Sequence, residues 1–377
     1  MLFDIIFLKV DKGGEFMKLN KKMIIIMASV VGVIVVIIIV LLLFIGGGSK
    51  NLSFEEIENR IVTSGKSYYE DNEDKLPKKG QIELNVSTLV SEGYMNELST
   101  YTEEGTSCSG KLIVTKTPND YAYYSYLDCG SEYKTELFSE YLKDNIVTSG
   151  SGLYEMEQVV PGSDENETVY VYRGDNVNNY IQVGDYLWQV IKILDNGEIV
   201  ALGDTALLRA TWDDRYNINT NHYNGINDYE VSRIREFIIS DVIEPEDMFV
   251  NIKGLITPFT ACVANRNEED TSRDGSTECS KVLENEYFSL LPVYDYMNAS
   301  LDENCSKALN DSCSNYNYLS TSADSSWWLA TGVGNSTENV YYVDGKIETN
   351  FANYNRSGRL MVHLNKYVSY VSGSGTV

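Results

Sequence analysis

Residues 180–202 read YIQVGDYLWQVIKILDNGEIVAL, and the pattern of this stretch decides the fold class. Three short runs, 180–183, 186–194 and 199–202, are rich in the β-branched and aromatic residues that fit a pleated, half-buried surface. Asp195-Asn196-Gly197 separates the last two and is a hairpin turn of the Asn-Gly type, since Asn and Gly tolerate the positive φ that such a turn requires. Moving outward, residues 168–173 form a further β-rich run. Residues 229–239 break the pattern, with Ile234, Phe237 and Ile238 at helical spacing and Ser232 placed to cap the helix or sit in its first turn. Residues 291–298, LPVYDYMN, read as a short helix near a loop, and Trp327-Trp328-Leu329-Ala330 as a core strand. The two tryptophans face opposite sides of that strand, so at least one is expected in the core.

Upstream, Thr148-Ser149-Gly150-Ser151-Gly152 and Pro161-Gly162-Ser163-Asp164-Glu165 flank a short amphipathic stretch, and residues 131–165 are read as a linker. Before it lies a smaller unit, 52–130. Ser53-Phe54-Glu55-Glu56 is a capping box, and Phe54, Ile57, Ile61 and Tyr68 follow at near-helical spacing. Leu76-Pro77-Lys78-Lys79-Gly80 ends that helix, and a second, shorter one runs from Ser87 to Gly93. Strands at 111–116 and 121–127 then flank the turn Thr117-Pro118-Asn119-Asp120.

Residues 23–45, MIIIMASVVGVIVVIIIVLLLFI, carry no charge. At about 1.5 Å per residue they span a hydrocarbon core of about 30 Å. A cleavable signal peptide would have an apolar region of roughly 7–15 residues and a small-residue cleavage site. An uncleaved transmembrane helix is therefore expected, followed by the flexible Gly46-Gly47-Gly48-Ser49. Lys18, Lys21 and Lys22 place residues 1–22 in the cytoplasm as a short stub and the C-terminus outside the cell, in a single-pass cell-membrane topology. Lys12-Gly13-Gly14-Glu15-Phe16 reads as the in-frame translation of a purine-rich ribosome-binding site, so translation is expected to start at Met17.

The chain carries 30 Lys+Arg against 55 Asp+Glu, a formal charge of −25, which opposes nucleic acid as a partner. Six cysteines, all beyond residue 100, fall into three sequence-local couples: Cys108 with Cys129, Cys262 with Cys279, and Cys305 with Cys313. Other connectivities are open to six cysteines, but disulfides of some kind are favoured in an oxidising compartment. No C-x-x-C occurs and only His222 and His363 could assist a metal, so no metal centre is expected.

Two resemblances emerge from these motifs. Ser87, Leu89, Val90, Gly93, Tyr94, Cys108, Gly110, Tyr124, Tyr126, Leu127 and Cys129 make residues 52–130 resemble the globular part of type IV pilin-like proteins. The Gly of a pilin processing site and the Glu five residues into its apolar helix are missing around Met23–Met27. Residues 168–368 resemble a domain of unknown function of Gram-positive surface proteins, related to the C-type-lectin-like and sulfatase-modifying-factor folds. That resemblance rests on Asn179, Tyr180, Leu187, Trp188, Ser232, Ile234, Arg235, Asp295, Tyr296, Trp327, Trp328, Leu329, Gly345 and Arg359. The chain departs from it at Ala330-Thr331-Gly332, where Arg-Ser-Pro is usual, and at Arg359-Leu360, where Arg-Pro is usual. Together these imply an α+β protein with one N-terminal transmembrane helix (23–45), a small pilin-like α+β module (52–130), the linker and a C-type-lectin-like α+β domain (166–370).

Chemistry is sparse. Glu244-Pro245-Glu246 and Trp212-Asp213-Asp214 only echo the Glu-Pro-Asn and Trp-Asn-Asp motifs of a lectin calcium site, and Asp270-Thr-Ser272-Arg-Asp274-Gly275 opens like a calcium loop but has Lys281 where a bidentate Glu is needed. No cofactor is expected, with calcium alone left open. Neither histidine has a visible catalytic partner, so no catalytic residue is assigned. Recognition remains: 334–339 and 350–357 concentrate the Asn, Tyr, Ser and Arg that bind through rigid rings and adaptable hydrogen bonds, with Asn335, Asn339, Asn353, Tyr354, Asn355 and Arg356 as the candidate surface. The expected function is non-catalytic binding or adhesion to an extracellular protein or glycan. A pilin-like assembly subunit and a cell-surface enzyme are the alternatives.

Overall fold

The computed structural model describes residues 4–5, 51–206, 208–245, 249–306, 311–321 and 326–370. Its architecture is mixed α+β, mostly sheet with few helices. The predicted span 23–45 lies outside the described residues, and among those described no helix is long and apolar enough to cross a membrane. Asp4 and Ile5 lie parallel beside Gln182 and Val183, an edge that would be open in a chain beginning at Met17.

The small module is a helix laid across a three-stranded sheet. The helix Phe54–Asp71 begins at Ser53, whose hydroxyl accepts from the Glu56 N–H while the Glu56 carboxylate accepts from the Ser53 N–H. It buries Ile57, Ile61 and Tyr68 against Leu112, Val114 and Leu127. Gly65 sits directly over Leu112, where an added Cβ would lie 2.1 Å from a leucine methyl. The sheet order is Gln81–Asn85, Ser109–Lys116, Tyr121–Asp128, all antiparallel. The short helix Val86–Ser91 starts one residue before the expected Ser87.

Residues 131–165, expected as a linker, instead hold the helix Phe138–Lys143 and the strand Gly152–Val159. That strand pairs over its full length with Asn166–Arg173, so Pro161-Gly162-Ser163-Asp164 is a hairpin loop and not a boundary. The hairpin joins the main sheet through Tyr170↔Ile193 and Val171↔Lys192. The main sheet continues in the order Tyr180–Val183, Tyr186–Ile193, Ile199–Gly203, Met361–Leu364, Ile256–Thr257. A second sheet, Leu208–Thr211, Asn355–Gly358, Trp327–Gly332, Asn339–Val343, Ile347–Phe351, closes the core from the other side. Trp327 and Trp328 are both buried, because the strand that carries them is covered on both faces. The helix Val293–Asn298 is likewise buried at every position rather than lying at a loop.

Ser232 caps the helix Arg233–Phe237 by accepting from the Arg235 N–H, and a π-helical turn, Ile238–Ile243, extends it. The three expected disulfides are formed: Cys108–Cys129 at the ends of the small module's hairpin, Cys262–Cys279 and Cys305–Cys313.

Candidate functional site

Three loops converge at one end of the second sheet: 212–227, 333–339 and 350–355. Their meeting is organised by buried polar side chains that the sequence places far apart. Asp213 is fully buried, and its oxygens accept from the Arg215 guanidinium and from the N–H groups of Arg215, Ile226 and Arg233. Asn217 Nδ2 donates to the carbonyls of Gly225 and Thr337, both at 2.8 Å. Asn227 Nδ2 reaches the carbonyls of Val333, Ser336 and Asn339 at 2.9–3.0 Å. Asn353 Nδ2 donates to the Tyr223 carbonyl at 2.8 Å, and the Ala352 carbonyl accepts from the Asp213 N–H at 3.0 Å. With its backbone groups paired in this way, an irregular tip is held in one shape.

That tip exposes what a fold normally hides. Ile218 is 84% exposed and Tyr223 71%, with Tyr354 at 51% and Tyr216 and Phe351 also exposed. Tyr216 and Tyr223 meet edge to face at 5.2 Å, and the Tyr216 hydroxyl donates to Asn221. Residues 216–224 and 350–355 contain no Asp, Glu, Lys or Arg, in a chain that is 23% charged.

Of the six candidate residues, Asn335, Tyr354 and Asn355 are exposed, and Asn353 is drawn into the tip. The Asn339 carbonyl is taken up by Asn227 and by the Val333 N–H. Asn355 accepts from Arg209 Nε at 2.9 Å. Arg356 is a scaffold cation: its guanidinium lies 3.5 Å from the Tyr342 ring centroid and 5.3 Å from that of Trp328, with Nη1 on Ser326. Sequence reading passed over Tyr216, Ile218 and Tyr223, although the uncharged, four-Asn run YNINTNHYN (216–224) was the available signal.

Of the calcium echoes, Glu244-Pro245-Glu246 runs outside the described residues at Glu246, and the other two are occupied by protein donors. Asp213 is saturated as described, and Trp212 is buried with its Nε1 on the Leu329 carbonyl. The Asp270 carboxylate accepts from Ser272 and Thr277 and lies 3.3 Å from Arg266, which stands where a cation would. Against the desolvation of its site, those hydrogen bonds hold the Asp270 carboxyl below the usual range. Among the described residues no group of three or more His, Cys, Asp or Glu is placed to hold a metal ion. His222 is exposed on the tip, whereas His363 is buried on a strand, stacked 4.1 Å from the Phe259 ring and 3.4 Å from Glu198.

A second polar centre lies under the 152–173 hairpin. Lys192 Nζ donates to Asp295 Oδ1 at 2.7 Å, Gln158 Oε1 at 2.9 Å and the Tyr294 hydroxyl at 3.1 Å. Glu167, Pro161, Pro292 and His363 line the same pocket. Burial raises the Glu167 carboxyl, against the lowering effect of the Lys192 charge.

No family model, curated protein or solved structure matches the chain.

Proposed function

We propose that this chain is a non-catalytic binding protein of the cell surface, tethered by the helix 23–45, with the 52–130 module as spacer and the uncharged tip as its contact face. The ligand is an extracellular protein or a glycan met by Tyr216, Ile218, Tyr223 and Tyr354. The supporting observation is the combination of exposed rings and aliphatic surface with loops pinned by buried asparagines. Large exposed apolar side chains in an uncharged setting offer desolvation on contact, and the surrounding amides supply hydrogen bonds that fix orientation. Because folding has already ordered these loops, binding need not bear that entropy again.

Arrays of extracellular proteins and glycans probed with residues 51–377, with and without calcium, test the reading. Binding to a defined partner is expected, weakened at least tenfold by combined Tyr223→Ala and Tyr354→Ala at an unchanged melting temperature. Absence of any binding at every calcium level, or binding indifferent to the two substitutions, overturns it.

A further inference from the structure

We propose that the Lys192 amine and the Asp295 carboxyl condense into an intramolecular amide, stapling the main sheet to the helix Val293–Asn298. Among the described residues, two ion pairs bury both partners almost completely: Arg266 with Glu278, and Lys192 with Asp295. A guanidinium is a poor nucleophile. Lysine carries a primary amine that becomes nucleophilic when it loses its proton.

The geometry presents the reactants already in contact. Asp295 is 1% exposed and Lys192 5%, so neither swings out to solvent. Transfer of one proton along the 2.7 Å contact yields a neutral amine and a carboxylic acid. Two buried charges are thereby removed, which a low-dielectric site favours. The nitrogen lone pair then attacks Cγ of Asp295. As the C–N bond forms, the amine gives up a proton, the C–O bond breaks, and the hydroxyl leaves with that proton as water. One ammonium and one carboxylate become one amide and one water, with no change of oxidation state and no co-reactant.

The neighbours fit each step. The Tyr294 hydroxyl accepts from Nζ at 3.1 Å, so it orients the atom that loses a proton. Burial keeps that hydroxyl protonated, raising it well above its ordinary value. Gln158 supplies the clearest sign. Its Oε1 already accepts from Nζ, while its buried Nε2 has no hydrogen-bond partner. An amide product keeps one N–H on that nitrogen and has a neutral C=O, and a primary amide side chain is the complement of both. Holding such partners together is worth an effective concentration on the order of 10⁵–10⁸ M, which favours condensation over two separate groups.

Intact mass spectrometry of the full chain with its disulfides formed decides the question. The expected mass is lower than the disulfide-bonded sequence by one water. Tryptic digestion should leave Lys192 uncleaved in a branched peptide joined to the segment that contains Asp295. Lys192→Arg should retain the full mass, and Asp295→Asn should lose ammonia instead of water and reach the same product mass as the natural chain. A natural chain of full mass overturns the proposal. A water loss mapped to Asp274-Gly275 or Asp344-Gly345, where an Asp-Gly succinimide gives the same change, overturns it equally.

Discussion

Arg266 and Glu278 show what single buried charges do in this chain. Nε and Nη2 of Arg266 donate to the two carboxylate oxygens at 2.8 and 2.9 Å, a bidentate pair with both side chains fully buried. The remaining arginine donors reach the carbonyls of Asp270 and Ser272, and the carboxylate also accepts from the Tyr294 N–H. The pair therefore ties the Cys262–Cys279 loop to the start of the helix Val293–Asn298. Removing one partner leaves the other charged in a dry site, which costs about 3–5 kcal/mol, whereas removing both costs much less. Arg266→Met should lower unfolding stability by that amount in a urea titration, and Arg266→Met with Glu278→Leu should recover most of it. A single substitution that costs under about 1 kcal/mol would show the pair to be ordinary surface electrostatics. None of this was legible beforehand. Charges in a linear sequence read as solvated, and the hydrogen-bonding partners of Lys192 and Arg359 stand between 34 and 170 positions away.

Segments whose signals are local were read correctly, and those defined by distant pairing were not. The capping box at Ser53 and the turn at 117–120 each contain their own physics and form as expected, and a hairpin also forms at 195–197, although with Gly197 alone at positive φ it is not the Asn-Gly turn the sequence predicts. The strand Gln81–Asn85 escapes sequence reading because it is short: its apolar stripe is only Ile82 and Leu84, both half-buried against the core. Gly152–Val159 reads as linker because Glu155 and Glu157 are exposed on an edge strand and two turn-rich runs bracket it. At the candidate tip, Asn and Tyr were legible as residue types, but the joining of 212–227 to 333–339 and 350–355 was not. Gly225 is where that joining is tightest. It adopts φ +85°, and a Cβ there would lie 2.1 Å from the Asp213 carbonyl oxygen and 2.8 Å from Ala352 Cβ. Backbone atoms cannot swing aside as a side chain can. Gly225→Ala should cost on the order of 1–3 kcal/mol and weaken ligand binding more than its small thermal shift implies, because it parts two of the three loops. Unchanged affinity in a binding titration of this variant would separate the tip from the contact face.

The two modules are docked on each other. Asn365 Nδ2 donates to the buried Thr115 hydroxyl at 2.9 Å, Tyr124 reaches the Gly254 carbonyl at 3.1 Å, and the rings of Tyr126 and Tyr367 meet edge on. At the rim, Glu83 accepts from the Tyr367 hydroxyl at 2.7 Å and from Lys111 Nζ at 3.0 Å. Those two hydrogen bonds, Tyr367 foremost, hold the Glu83 carboxyl below its ordinary 4.5. The folded protein therefore releases this proton more readily than the unfolded chain. The contribution is complete above the unfolded value and is lost as pH falls through the lower folded one. A competing effect has the opposite sign, since a formal charge of −25 repels itself at neutral pH and that repulsion relaxes on acidification. Comparison with Glu83→Gln cancels the global charge term almost entirely and isolates the contact. Glu83 is 45% exposed, so solvent screening keeps the effect modest. The natural chain should melt above the variant at neutral pH, and the two curves should converge once the pH is taken below the ordinary carboxylate range. If the gap persists in acid, the ionised Glu83 is not what holds this rim. Docking would then rest on the Asn365 and Tyr124 hydrogen bonds, which do not titrate in acid.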